Sequence, residues 1–402
     1  MHAASKAAGR HPMSRLKKLV WLASSFVLLL LALLAFCAVS HAAEQKQTQG
    51  NLEVSGSKIY YEECGSGPNI VLLHDGLLHA VTWDESWPAL CAKFHVVRYD
   101  RRGYGRSDAP KAKFSPTDDL QQLMNKANMK RAVIVGNSSG GALAIDFALA
   151  HPESTDALFL IGPVVHGMGS TDHFDKRGER NQAPLEKKDY KAAALNWSND
   201  PYLIANGHDS ARKKFYEDLV PYPHNLTYDG QFEIRPSLAI HHLPEIRVPA
   251  FILVGEFDIP DVHAHCGAIE AGIPGSQREI AAGDGHLIQL EDPQGFTDRL
   301  TRFVNLQHRA AANVPPDALK LYAGKYTVGP AVLNIYLERD HLEFQLSEDG
   351  SRYPLFAESP SKFFLRVAYI DVEFIKDAAG RITEMDVNQD GTIFKCQRMS
   401  MR

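Results

Sequence analysis

Cysteine is scarce in this sequence. There are five in 402 residues, and no two of them form a Cys-x-x-Cys pair, so no cysteine pattern marks a metal or redox motif. Positive charge is not in excess either: 43 lysines and arginines face 48 aspartates and glutamates, a net charge of −5. No basic stripe runs along the chain, which excludes an electrostatic footprint for nucleic acid. Internal repeats are missing as well. What remains is an ordinary globular composition, 45% hydrophobic and 23% charged, long enough for two domains with a large buried core.

The exception is the start of the chain. Arg15, Lys17 and Lys18 precede an uncharged apolar run from Leu19 to Val39, followed by small residues up to Ala43 and then Glu44. This order reads as a signal peptide spanning 1–43, with cleavage near Ala42 or Ala43 and Met13 as an alternative start. The run is long enough to span a bilayer, so an uncleaved membrane anchor is the alternative. Either way the folded part lies outside the cytoplasm, periplasmic or secreted. Disulfides are permitted there, yet spacing assigns none among Cys64, Cys91, Cys266 and Cys396. The plain reading is four small buried hydrophobes.

From residue 50 to about 305 short apolar runs alternate with amphipathic stretches. Asn69–His74, Phe94–Tyr99, Arg131–Val135, Ala157–Ile161 and Ala250–Val254 read as buried parallel strands, because such strands are continuously apolar rather than alternating. Gly141–Ala150 and Pro293–Val304 read as helices, the latter with Phe296, Leu300 and Phe303 on one face. The alternation implies an α/β fold with a doubly wound, mostly parallel sheet. Leu52–Glu63, with Ser55-Gly56 at its turn, reads as a leading antiparallel hairpin. Residues 166–247 are polar and break the rhythm, as a cap inserted between two strands would. Residues 306–316 read as a linker. From 317 to 402 the apolar period becomes two, with Asp349-Gly350 and Asp390-Gly391 as turns, so a small all-β domain, a curved sheet or barrel, is expected.

The strongest local signal is Gly136-Asn137-Ser138-Ser139-Gly140, after a strand and before a helix. A strand that turns at once into a helix strains its corner residue and lifts that side chain above the sheet. Glycines two residues before and after remove Cβ atoms from the tight corner. Ser138 is therefore the candidate nucleophile, and the helix start beneath it offers free N–H groups. Ser139, off-centre in the motif, is assigned an oxyanion N–H.

A serine hydroxyl needs a base, and in this strand–turn–helix context the order is Ser, acid, His. Asp258 follows the strand ending at Val254 and is the candidate acid, with Glu256 and Asp261 as local rivals. His286, in Gly283-Asp284-Gly285-His286 before the final helix, is the candidate base. The loop after the first parallel strand, His74-Asp75-Gly76-Leu77, should lend the second oxyanion N–H, from Gly76 first and Leu77 second. His263 and His265 form a His-x-His pair with no further ligand at metalloenzyme spacing. No metal and no organic cofactor are expected.

With these residues in place, 50–305 resembles the α/β-hydrolase superfamily, nearest to its capped carboxylesterases and enol-lactonases. Asp100-Arg-Arg-Gly103-Tyr-Gly105-Arg-Ser107 is similar to that group's turn after the fourth strand, whose role is structural. Gly285-His286, Glu291-Asp292-Pro293 and Phe296 resemble its histidine loop and last helix. A serine at 138 rather than an aspartate argues against dehalogenase or epoxide-hydrolase chemistry. The sequence departs from the pattern at His74-Asp75-Gly76, where many members read His-Gly-x. Leu321–Tyr326, Tyr353-Pro354-Leu355 and Phe363-Phe364 resemble a small β domain appended to some exported bacterial serine hydrolases.

The resemblance implies an exported serine hydrolase that cleaves a small-molecule ester or lactone through an acyl-enzyme. Three alternatives remain open: an aminopeptidase-type peptidase, a lyase or perhydrolase on the same triad, and a catalytically silent binding protein. A membrane contact is expected only if the N-terminal segment stays uncleaved.

Overall fold

The computed structural model describes residues 47–235, 238–346 and 350–399. The expected signal segment and its cleavage site lie outside the described residues, as does Asp349 of one expected turn.

Strands β1 (Thr48–Val54) and β2 (Ser57–Cys64) form the leading hairpin, with Val54 opposite Ser57 and both Ser55 (φ 47°) and Gly56 (φ 72°) left-handed. This is the two-residue turn that follows strand twist. Next come β3 (Asn69–Leu73), α1 (Trp87–Cys91), β4 (His95–Tyr99), α2 (Pro116–Lys126), β5 (Ala132–Asn137), α3 (Ser139–Ala150) and β6 (Thr155–Ile161). The cap follows, with helices α4 (Asp172–Gln182), α5 (Tyr190–Ser198) and α6 (Asp209–Leu219). The chain returns to the sheet with β7 (Ala250–Gly255), α7 (Pro260–Gly272), β8 (Gln277–Ala281), α8 (Ile288–Glu291) and α9 (Pro293–Gln307).

The strands lie in the order β1-β2-β4-β3-β5-β6-β7-β8, and every pair from β4 through β8 is parallel. Every residue of β5 and β7 is buried, which is why Ala132–Val135 and Ala250–Val254 are continuous apolar runs. Helices cover both faces. Leu120, Leu143, Phe147 and Ile269 pack from α2, α3 and α7 on one side; Trp87, Phe296, Leu300 and Phe303 pack from α1 and α9 on the other. Each of the α9 side chains contributes roughly 1.5–3 kcal/mol by leaving water. The cap has its own apolar cluster, in which Trp197, Phe215 and Leu219 meet Leu287 and Leu290 beside the histidine loop.

The turn after β4 is held by its own side chains. Asp100, fully buried, accepts the N–H groups of Ala80 and Arg106, and Arg102 grips Asp119 through two nitrogens. Cys64 and Cys91 form a disulfide with Cα atoms 5.4 Å apart, tying the end of β2 to α1, while Cys266 and Cys396 are buried and unpaired. The plain reading of four buried thiols is therefore corrected for one pair. The end of β2 lies antiparallel to β4, and α1 delivers Cys91 just before β4 begins, a proximity no spacing rule reveals.

Beyond α9 the chain is not a loose linker. Ala312 donates to the Ala357 carbonyl at 2.7 Å and Val314 is buried in the second core. After α10 (Pro316–Leu319), strands β9 (Gly324–Val328), β10 (Ala331–Glu338), β11 (His341–Gln345), β12 (Tyr353–Ala357), β13 (Lys362–Phe364), β14 (Ile370–Lys376), β15 (Ile382–Gln389) and β16 (Thr392–Arg398) close an antiparallel barrel. Asp390 and Gly391 make the β15–β16 turn, both left-handed.

Candidate active site

Ser138 links β5 directly to α3 with φ 56° and ψ −118°, a conformation that side chains rarely adopt. The surrounding geometry explains why the corner needs its glycines. A Cβ on Gly136 would lie 2.3 Å from the Gly140 carbonyl oxygen, and one on Gly140 would lie 2.4 Å from that of Leu73. The Ser138 N–H donates to Ile161 and its carbonyl accepts from Ala142, so the corner is fixed on both sides. Ser139 opens α3, where the first N–H groups have no intrahelical acceptor.

Asp258 lies just past β7 and is buried. Its Oδ1 accepts the Ile259 N–H at 2.7 Å, and its Oδ2 lies 2.8 Å from His286 Nδ1. Burial alone would lower the pKa of His286, but the charge of Asp258 and its hydrogen bond outweigh this, and the imidazole titrates above its ordinary 6.5. The two acidic rivals are used elsewhere: Glu256 accepts the Gly283 N–H, and Asp261 accepts the N–H and hydroxyl of Thr171. His265 Nδ1 accepts the Val165 N–H.

Asn137 has a place that sequence reasoning missed. Fully buried, it donates to the carbonyls of Ile161 (2.9 Å) and His286 (3.2 Å) and accepts from Gln289 (3.1 Å), tying the serine corner to the histidine loop. The cap ties the same loop from above. The His286 N–H reaches the carbonyls of Tyr202 and Leu203, and Glu291 accepts the N–H groups of Ala205 (2.5 Å) and Gly285 (2.9 Å). Burial pushes Glu291 up to about 7, and burial together with Asp292 pushes Asp284 up to about 6.

The loop after β3 is equally determined. Asp75 Oδ1 accepts the N–H groups of Leu77 (2.7 Å) and Leu78 (2.9 Å), so Leu77, the second candidate donor, is already engaged. Gly76 is not. The Asp75 carbonyl of the same peptide unit accepts from His74 Nδ1 (2.7 Å) and Arg101 Nη2 (2.8 Å). In a trans peptide this turns the Gly76 N–H the opposite way. His74 Nε2 accepts the Arg101 N–H at 3.0 Å, which leaves the proton on Nδ1, and burial beside Arg101 holds the ring neutral with its pKa well below 6.5. Arg101 Nη2 also donates to Ser139 Oγ at 2.9 Å, so one guanidinium braces both backbone segments.

Gly76, Ser138 and His286 line one cavity of about 190 Å³ whose other walls are mainly apolar side chains of the cap and α7. Arg177 of α4 also faces it, a residue to which nothing in the sequence pointed. A second cavity of about 160 Å³ lies beyond Ser139 and holds neither Ser138 nor His286. A half-buried hydroxyl on a strained corner that lines a cavity, an imidazole braced by a carboxylate, and N–H groups at a helix start are together the parts that acyl transfer requires.

Comparison with known proteins agrees with this geometry. Residues 70–299 match the model of the "Alpha/beta hydrolase family", and residues 308–400 match a "Domain of unknown function (DUF3471)". A "Putative carbamate hydrolase RutD" of Caulobacter sp. (strain K31) is 36% identical over 260 residues, 61% of this chain and 95% of that one. The solved structure of Est816, described as an N-acyl homoserine lactone degrading enzyme, is 26% identical with a TM-score of 0.52, covering 63% of this chain and all of that one. The enol-lactonase from Burkholderia xenovorans LB400 shares the fold at 21% identity and a TM-score of 0.55, over 64% of this chain and all of that one.

Proposed function

The chain belongs to the alpha/beta hydrolase family, and we propose that within it the protein is an exported serine hydrolase that cleaves a carboxylic ester or lactone. One observation carries the reading. Ser138 sits on a strained corner in the same cavity as His286, and a buried carboxylate holds the far nitrogen of that imidazole at 2.8 Å.

In this mechanism His286 Nε2 takes the Ser138 proton as Oγ attacks the carbonyl carbon. The N–H groups of Gly76 and Ser139 receive the developing oxyanion. His286, now imidazolium and stabilised by Asp258, protonates the leaving alcohol. It then removes a proton from water, which attacks the acyl-enzyme and frees the acid and Ser138. Export is supported by the charged start, apolar run and small residues of 1–43.

The test is hydrolysis of short p-nitrophenyl esters by the mature protein and by Ser138→Ala, with labelling by a fluorophosphonate. Turnover and labelling that vanish together in the variant are expected. A wild-type protein that neither turns over nor takes the label at Ser138 would overturn the proposal.

A further inference from the structure

The cavity holding Ser138 is also lined by a largely buried cation that the protein engages through only one of its nitrogens. Arg177 is only 6% exposed. Its Nε donates to Asp200 Oδ2 at 2.8 Å, and its guanidinium packs against the rings of Trp197 and Tyr202. Asp200 is saturated: Oδ2 also accepts from Asn181, and Oδ1 accepts the N–H groups of Tyr202 and Leu203. The guanidinium is not. It carries five N–H donors in a fixed fork; among the described residues only Nε has a hydrogen-bond acceptor, and neither Nη is a fully buried atom without a partner, so both reach solvent.

A guanidinium held at Nε with both Nη atoms open to solvent is placed to meet a ligand. The position of the fork therefore matters. Arg177 lines the cavity beside Ser138, and its charge is felt at His286. Of the acidic side chains, Asp75 lines the same cavity; its Oδ1 accepts two backbone N–H groups, and its Oδ2 is buried with no hydrogen-bond partner among the described residues. The remaining surfaces are largely apolar, with Gln182 as the other neutral polar side chain.

We propose that Arg177 is the recognition site for an anionic group, a carboxylate, carried by the substrate at a short distance from its scissile ester or lactone. A guanidinium fork matches a carboxylate with two parallel hydrogen bonds. The cavity is small, about 190 Å³. The substrate class is thus a small half-ester or lactone acid with a short apolar spacer between carbonyl and carboxylate. This inference rests on the serine-hydrolase reading above.

The experiment compares mono-p-nitrophenyl adipate, which carries a free carboxylate, with p-nitrophenyl hexanoate, which does not, on wild type and Arg177→Lys. Wild type is expected to favour the acid ester at least tenfold in kcat/KM, mainly through KM, with the preference rising at low ionic strength. Arg177→Lys, which keeps the charge but loses the fork, should narrow the ratio severalfold. The wild-type ratio decides the matter even if the variant folds poorly. Hydrolysis of hexanoate with equal or poorer hydrolysis of the acid ester overturns the anion site and leaves the hydrolase standing. Failure on both esters, with no phosphonate label at Ser138, overturns the hydrolase reading instead.

Discussion

Asp258→Asn is the most diagnostic substitution, because the structure dictates which way the new amide must face. Oδ1 of Asp258 accepts the backbone N–H of Ile259 at 2.7 Å, and this donor cannot move without breaking the start of α7. An asparagine must keep its carbonyl oxygen there, which places its NH₂ at the Oδ2 position, 2.8 Å from His286 Nδ1. The amide then donates where the carboxylate accepted. His286 is forced to carry its proton on Nε2 and cannot serve as the proposed base. The imidazolium also loses its counter-charge. In a Ser-His-Asp site a wrong tautomer costs about 10⁴ in turnover, or about 5.5 kcal/mol of barrier. Steady-state turnover of a p-nitrophenyl ester, normalised by active-site titration and with circular dichroism as the folding control, measures it. A folded variant that keeps more than about a tenth of wild-type turnover would refute the assignment of Asp258.

Other substitutions and conditions probe neighbouring parts. Arg101→Met should lower kcat about tenfold with little change in KM, since it loosens the Asp75–Gly76 peptide rather than removing a donor, whose loss costs about 10²–10³; a pure KM effect in initial-rate kinetics would contradict this. Because His286 titrates above 6.5, the acid limb of kcat/KM against pH should fall above pH 6.5, and a limb clearly below it would show that Asp258 does not raise the base. Glu291 is raised from 4.5 to about 7, so the folded chain holds that proton more tightly than the unfolded chain does. Its contribution to stability is full below about pH 4.5 and is lost as pH rises through 7, so the Tm advantage of wild type over Glu291→Gln should shrink across that window; an advantage that grows would contradict the assignment. The Cys64–Cys91 bridge spans a separation of 27 residues, for which loop entropy predicts about 3–4 kcal/mol. A double alanine variant that loses less than about 1 kcal/mol in urea would show that the bridge is not stabilising.

The parts of the molecule legible in the sequence are those that obey local rules. The parallel strands could be read because double burial leaves few polar positions, as in β7 and in β5 up to Asn137. Alternation marked the barrel strands because each has one face in a core, as in β10 and β11 with Leu333, Ile335, Leu342 and Phe344. The serine corner was legible because its strain demands glycines at fixed offsets. The cap was readable only as an interruption. Its helices are set by packing against Leu287 and Leu290, far away in sequence. Arg177 is one of 43 basic residues, and only its ion pair 23 positions away turns it into the cavity. Asn137 and Arg101 were invisible for the same reason. One sits inside a motif that specifies only glycine and serine, and the other lies in a turn that reads from the sequence as having only a structural role.

These long-range contacts also bear on how recognition and turnover relate. The short cap stretch from Asp200 to Ala205 does three things at once. Asp200 holds Arg177, the carbonyls of Tyr202 and Leu203 receive the His286 N–H, and Ala205 donates to Glu291, which also fixes Gly285. The proposed anion site and the proposed base thus hang on one hydrogen-bonded segment of six residues. An element so placed cannot be altered for substrate choice without moving the imidazole, and misplacement by about 1 Å near a reacting group can cost about 10²-fold in rate. Selectivity in this fold should therefore evolve on side chains pointing into the cavity from α4, such as Phe174 and Gln182, while the stretch beneath them stays fixed.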